Sequence, residues 1–246
     1  MRLFTDAANI GDKYIKITDK GDIKHMIKVM RLSEGDSVDV SDSMEWEYKT
    51  EIVSIDGDEV LLAIVDKQKF AREPETRVTL FQGVPKAGKM ETIIQKCVEL
   101  GVYAIVPVFM ERTVVVEKGN FGKKLDRWQK ISDEAVKQCK RGVIPQIENQ
   151  CSFKEMLPQL ADFDLILFPY ENETGYSIKD CLRNIPADQK PETVAIVIGP
   201  EGGFSDKEAE MMDEAGAARV TLGKTILRTE TAGMAALAMT MYELEL

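Results

Sequence analysis

The sequence predicts an α/β protein in two parts: a small β-rich, barrel-like module, then a mostly parallel sheet with helices on both faces. Three observations carry this expectation. Up to about residue 70, short strand patterns are separated by turn residues. From Arg77 onward, apolar strand patterns alternate with helical ones, as in sheets whose parallel strands are joined by helical crossovers. Val194 to Ile198 is an unbroken apolar run stopped by Gly199-Pro200, the pattern of a strand buried on both faces.

In the first part, Arg2-Leu3-Phe4, Tyr14 to Ile17, Ser37 to Val40, Tyr48 to Ile55 and Val60 to Val65 read as strands, with one helix near Ile23 to Arg31. Gly35-Asp36 and Asp56-Gly57-Asp58 supply turn chemistry between them. Lys67 to Arg77, polar and holding Pro74, is the expected linker, giving domains of 1–72 and 73–246. In the second part Val78 to Gln82 reads as a strand. Gly88 to Leu100 reads as a helix, because Met90, Ile93, Ile94, Cys97 and Val98 recur at the spacing of one buried face. Strand Tyr103 to Val108, a helix around Leu125 to Lys140, strand Leu165 to Phe168 and the Val194 run follow. Ser205 with Glu208 three residues on is a capping box, so a helix is expected from Ser205 to Ala215. Strand Arg219 to Leu222 and a helix from about Glu230 close the chain; Ala232 to Tyr242 is apolar nearly all round and needs cover from the core or from another subunit.

With 246 residues and 44% apolar composition the chain can bury a sizeable core. No apolar run reaches membrane-spanning length and Met1 to Ile10 lacks the pattern of a signal peptide, so a cytoplasmic protein is expected. Cys97, Cys139, Cys151 and Cys181 form no C-x-x-C pair, and His25 is the sole histidine, so no metal site is expected and the thiols read as buried and reduced. The net charge of −10 is uneven: residues 1–72 carry −4, 73–145 carry +4 and 146–246 carry −10. Attraction to nucleic acid depends on local charge, so the basic middle segment keeps RNA binding open.

Three polar stretches carry candidate chemistry. Gly83-Val84-Pro85-Lys86-Ala87-Gly88-Lys89 satisfies part of a phosphate-binding loop between strand and helix, but Met90 occupies the position of the magnesium-binding hydroxyl, which argues against an NTPase. Lys86 and Lys89 remain a cationic spot for an RNA phosphate. Gly199 to Gly203 is a glycine loop at a strand's C-terminal end, where open α/β sheets bind ligands. Leu222 to Ala232 leaves the next strand, crosses a second loop with Arg228 and Glu230, and enters the last helix. Together the two loops outline a cleft.

Ile198-Gly199-Pro200-Glu201-Gly202-Gly203-Phe204-Ser205, with Leu222-Gly223 and Ile226-Leu227-Arg228-Thr229-Glu230-Thr231-Ala232, resembles the signature of the RsmE family of SPOUT methyltransferases. Further matches run through the chain: Arg2-x-Phe4, His25 to Leu32 followed by Gly35-Asp36, Lys89-Met90-Glu91, Gln95 to Gly101, and Glu134-Ala135 with Gln138-Cys139 and Arg141. The resemblance implies a PUA-like RNA-binding domain, a SPOUT fold with a C-terminal trefoil knot, and a homodimer. It further implies S-adenosylmethionine-dependent methylation of uridine N3 in 16S ribosomal RNA, on free RNA or the assembled small subunit. A knot is beyond what periodicity can predict.

Carried onto this chain, the resemblance gives Ile198, Gly199, Pro200, Gly202, Gly203, Leu222, Gly223, Ile226, Leu227, Thr231 and Ala232 as cofactor-binding candidates. Uridine N3 is a poor nucleophile while protonated, so Glu230 or Glu201 is the candidate base and Arg228 the orienting cation. Arg2, His25, Lys28, Arg31, Lys86, Lys89 and Arg141 are the candidate RNA contacts. A non-catalytic RNA-binding or ribosome-assembly factor is the competing reading, with an NTPase behind it.

Overall fold

A computed structural model describes residues 2–70, 73–116, 119 and 121–246. Residues 71 and 72, inside the expected linker, lie outside the described residues. The chain forms two compact units, one from the residues up to Glu73 together with Val136–Ile144, the other from Pro74–Ala135 and Pro145–Leu246.

The first unit is built on β1 (Arg2–Phe4), β2 (Tyr14–Ile17), α1 (Lys20–Lys24), β3 (Ser37–Ser41), β4 (Trp46–Asp56) and β5 (Glu59–Lys69). Its sheet has the order β1-β3-β4-β5-β2, antiparallel except for the β1–β3 pair. Alternate residues of β2 and β3 point inward, and Ile15, Ile17, Val38 and Val40 join Leu3, Met26, Ile52 and Leu62 in one core. The helix expected near Ile23 to Arg31 starts earlier, at Lys20, and ends at Val29. It passes after Lys24 into a π-helical turn, His25–Val29, and Arg31 takes a left-handed φ of 56°. His25, Lys28 and Arg31 are all exposed there.

Two candidate RNA contacts are instead structural. Arg2 pairs with Glu47 and donates to the Lys140 carbonyl at 2.7 Å. Arg141 is 6% exposed, and its guanidinium donates to Glu73 at 2.8 and 3.1 Å while the same carboxylate accepts the Gly142 N–H at 2.6 Å. A nearly buried charge needs such a partner, and both arginines are engaged within their own unit. These bonds, with Ser41 Oγ donating to the Gly142 carbonyl and Phe70 packed on Gly142, explain why 136–144 counts with the first unit.

In the second unit the order is β6 (Arg77–Gly83), α2 (Lys89–Glu99), β7 (Ala104–Phe109), α3 (Phe121–Cys139), β8 (Gln146–Ile147), β9 (Cys151–Ser152), α4 (Phe153–Met156), β10 (Leu165–Pro169), α5 (Ile178–Arg183), β11 (Thr193–Ile198), α6 (Asp206–Glu214), β12 (Ala218–Val220) and α7 (Thr229–Glu245). All pairings are parallel, in the order β12-β10-β11-β6-β7-β8, with β9 also on β7. The Val194 run is β11, near the middle. Ala195 and Val197 pack with Phe81, Phe168, Phe204 and Met212 on one face, beneath α4 and α6. The other face is covered by α7, which packs on β6 and β11 and against α2 and α5. Burial on both faces requires an uninterrupted apolar run, each fully buried Val or Ile contributing roughly 1.5–3 kcal/mol.

The Ser205–Glu208 capping box forms as expected, and α2 buries the five residues read from its periodicity. From β12 at the sheet edge, the chain returns across β10 and β11 to place α7 beside β6. A C-terminal knot needs such a return. Cys97 and Cys181 are buried, whereas Cys139 and Cys151 are only half-buried, because they lie at a helix end and on a short edge strand.

Candidate active site

The C-terminal ends of β10, β11 and β12 lie side by side, and the loop after each forms one wall of a cleft of about 920 Å³. Residues 199–204 follow β11, 221–228 follow β12, and 170–177 follow β10. Parallel strands place their following loops at one edge of the sheet, where an open α/β sheet takes its ligands.

Backbone packing shapes the glycine loop. Gly203 has φ of 66°, and a Cβ there would lie 2.2 Å from Glu171 Oε1 on the facing loop. Gly83, at the end of β6, abuts the same loop: its Cβ would sit 2.5 Å from Pro200 N. Arg112 donates to the Gly202 carbonyl at 3.0 Å. Behind the loop, Thr229 Oγ1 donates to the Gly199 carbonyl at 2.6 Å and accepts from Gln82 Nε2 at 2.9 Å. A buried side-chain relay therefore ties β6, the β11 loop and the start of α7 together.

Charged side chains stand on all three walls. Lys89 Nζ lies 3.0 Å from Glu201 Oε1 and 3.2 Å from Glu230 Oε2, and Glu201 also accepts the Lys86 N–H at 3.0 Å. The Glu201 hydrogen bond leads the effects that hold the Lys89 ammonium above its ordinary range. Burial alone pushes the Glu201 carboxyl up, but Lys89 and the Lys86 N–H outweigh it and hold the group below the usual carboxylate range. Glu173, on the β10 loop, is lowered by the N–H groups of Gly175 and Tyr176. Arg228 is the N-cap residue of α7, exposed on the cleft, and forms no ion pair among the described residues.

Residues 72–241 match the RNA methyltransferase domain family, and residues 17–65 match the RNA methyltransferase PUA domain. A ribosomal RNA small subunit methyltransferase E from Bacillus subtilis is 34% identical over 227 residues, spanning 92% of this chain and 89% of that protein. The chain belongs to the ribosomal RNA small subunit methyltransferase E family. A Neisseria gonorrhoeae member, solved bound to S-adenosyl methionine, superposes with a TM-score of 0.84 at 27% identity, covering 98% of this chain and 96% of that one. A putative methyltransferase from Legionella pneumophila, solved in complex with the same cofactor, gives 0.82 at 28% identity over 98% and 96%.

Within this family fold, the candidates at 198–203 and 222–227, with Ala232, all line the cleft. Arg228 and Glu201 line it too. Thr231 and Glu230 are not among the lining residues, and Glu230 reaches the wall only through Lys89. Lys89, an expected RNA contact, lines the cleft with its ammonium engaged by two carboxylates. The NTPase reading is disfavoured, because the lysine that should hold a phosphate is already paired and the first glycine packs on Pro200. Sequence reasoning missed the β10 loop and the Gln82–Thr229 relay. The former carries a visible signal, an apolar strand stopped by Pro169 and followed by the acid-rich Tyr170-Glu171-Asn172-Glu173.

Proposed function

We propose that this protein transfers the methyl group of S-adenosylmethionine to N3 of one uridine in the 16S RNA of the small ribosomal subunit, acting in the cytoplasm as a homodimer. The observation that carries this reading is the three-loop cleft with Arg228 on its wall. Its volume of about 920 Å³ lies within the range of small-molecule sites. The lining fits the cofactor: a loop with three glycines shares the cleft with Leu222, Ile226 and Leu227, and Ile226 stands 83% exposed, an apolar side chain ready to cover a ring.

The bound cofactor supplies an already activated methyl group on a sulfonium. The chain's own residues then have to align N3, exclude water and accommodate the N3 proton. Ile198 to Gly203, with Leu222, Gly223, Ile226, Leu227 and Ala232, are the proposed cofactor contacts. Arg228, in no ion pair among the described residues, stabilises the charge that develops on the uracil as the proton leaves. Glu201, one of the carboxylates lining the cleft, is the proposed acceptor of this proton; its paired state makes it a weak base, so the cation carries more of the work. Glu230 acts behind it. His25, Lys28, Arg31 and Lys86, all exposed, remain the proposed RNA contacts. The outer side of α7 supports the dimer: Tyr242 is 65% exposed and Met239 also faces outward, on a helix that buries only one side.

The test is transfer of labelled methyl from S-adenosylmethionine to small subunits from cells lacking this gene, followed by nucleoside mass spectrometry. One new N3-methyluridine, lost in Arg228→Ala while cofactor affinity persists, is the expected result. Cofactor binding without transfer to the subunit refutes the substrate, and a folded protein that binds no cofactor refutes the reading altogether.

A further inference from the structure

Lys89 is the first residue of α2, yet its side chain bridges two other elements. Glu201 stands on the loop after β11 and Glu230 in the first turn of α7, and both reach the same ammonium, at 3.0 and 3.2 Å. The three side chains are 28%, 23% and 21% exposed, sheltered enough that the pairs are not ordinary surface salt bridges. Glu230 Oε2 is buried and has no hydrogen-bond partner, so this ion pair is its one compensation among the described residues. Two carboxylates so close, with no cation between them, repel each other, and either one takes up a proton or the loops separate. Arg228 lies two residues before Glu230 and Gly202 directly after Glu201. Whatever holds the two glutamates therefore sets the spacing between the glycine loop and the proposed catalytic arginine.

We infer that Lys89 is a positioning residue for methyl transfer, a clamp that joins the cofactor loop to the start of α7 through Glu201 and Glu230 and thereby holds Arg228 in register with the cleft. This rests on the reading of the cleft as the methyl-transfer site. The clamp is distinct from the phosphate contact that the Gly-x-x-x-x-Gly-Lys pattern suggests. A phosphate contact acts on RNA affinity and its salt dependence, whereas a clamp acts on turnover.

The experiment compares wild type, Lys89→Met and Lys89→Arg for cofactor affinity by calorimetry, and for kcat and KM on small subunits at several salt concentrations. Lys89→Met is expected to lose at least tenfold in kcat, with KM for the subunit within about twofold and its salt slope unchanged, which is the pattern of an interaction realised in the transition state. Lys89→Arg, which keeps the charge, is expected to recover most of the loss. Wild-type kcat in Lys89→Met, no recovery in Lys89→Arg, or a loss confined to KM with a flatter salt slope overturns the inference. A second measurement needs neither cofactor nor RNA: a double-mutant cycle of Lys89→Met and Glu201→Gln on thermal unfolding. Coupled losses support the clamp and additive ones overturn it. A wild-type protein that transfers no methyl counts against the proposed function, and the unfolding cycle still decides the clamp.

Discussion

Gly83→Ala tests whether the stretch before α2 is a phosphate cradle or a buttress for the cofactor loop. The added methyl meets Pro200 N at 2.5 Å, Gly199 C at 2.8 Å and Pro200 Cδ at 2.8 Å, where ordinary contact is 3.4–4 Å. These are backbone and ring atoms without a rotamer to escape into, so the loop must move by roughly 1 Å. Overpacking of this kind costs about 1–3 kcal/mol, which for a chain of this size lowers the melting temperature by about 2–12 °C. The displaced atoms belong to the wall of the cleft, so cofactor affinity should fall at least tenfold, about 1.4 kcal/mol. Gly88→Ser is the matched control. Its Cβ would meet nothing nearer than the Glu91 carboxylate at 3.9 Å, and serine is a favourable N-cap for α2, so stability and affinity should stay near wild type. Calorimetric titration with S-adenosylmethionine and a thermal melt on both variants decide. Unchanged affinity and melting temperature in Gly83→Ala, or equal damage in both variants, refutes the buttress argument.

Thr229→Val removes the donor to the Gly199 carbonyl and leaves Gln82 short of an acceptor, so about 1–3 kcal/mol of stability should go with much of the cofactor affinity; a denaturant melt showing no loss contradicts the relay. Arg141→Ala should destabilise the protein by about 1–3 kcal/mol, because Glu73 loses its charged partner and keeps the Gly142 and Val143 N–H groups; native stability with weakened RNA binding would support Arg141 as an RNA contact. Burial pushes the Cys97 thiol from 9.0 up to about 12, so alkylation at pH 8 should spare it while half-buried Cys139 reacts. The same shift has a linkage sign: between these two values the unfolded chain holds fewer protons at Cys97, so its contribution to stability falls as pH rises. With Lys28, Arg31 and Lys86 as the charged RNA contacts, the slope of log affinity against log salt should be about −2 to −3; a slope near zero rejects all three.

Local rules made the core of the second unit legible, because a strand buried on both faces must be apolar throughout and a helix on a sheet must repeat its apolar face. Ser205, Glu208 and the buried stripe of α2 obeyed them. The same capping chemistry marks α4 at Ser152 and Glu155 and α5 at Ser177 and Asp180, two short helices that the apolar pattern alone does not reveal. Residues 136–144 are a different case. Their place with the first unit comes from Arg141, Gly142 and Ile144 meeting Glu73, Phe70 and Ser43, contacts separated by some 70–100 residues that no local pattern records. Charge counting misled for the same reason. Lys89 and Arg141 each contribute to the basic count of residues 73–145, yet each faces a carboxylate supplied by a distant part of its own unit. The basic middle segment is thus partly an internal ion-pair network, and the surface open to RNA is smaller than the count implies.

The stretch from Gln82 to Lys89 shows how a strand–loop–helix junction of phosphate-loop pattern can serve a ligand site by bracing its neighbours. β6 lies beside β11, so the end of β6 meets the start of the β11 loop at close range. Each distinctive residue of the stretch serves that meeting. Gln82 holds Thr229, Gly83 leaves room for Pro200, the Lys86 N–H caps Glu201, and Lys89 draws Glu201 and Glu230 together. All four act on the glycine loop, on the first turn of α7, or on both. A phosphate-binding loop presents its glycines and its lysine to the ligand; here the first glycine packs on the Pro200 backbone and the lysine is held by two carboxylates. What distinguishes the two uses is the identity of the neighbouring strand, because only a strand ending in its own ligand loop gives the junction something to brace.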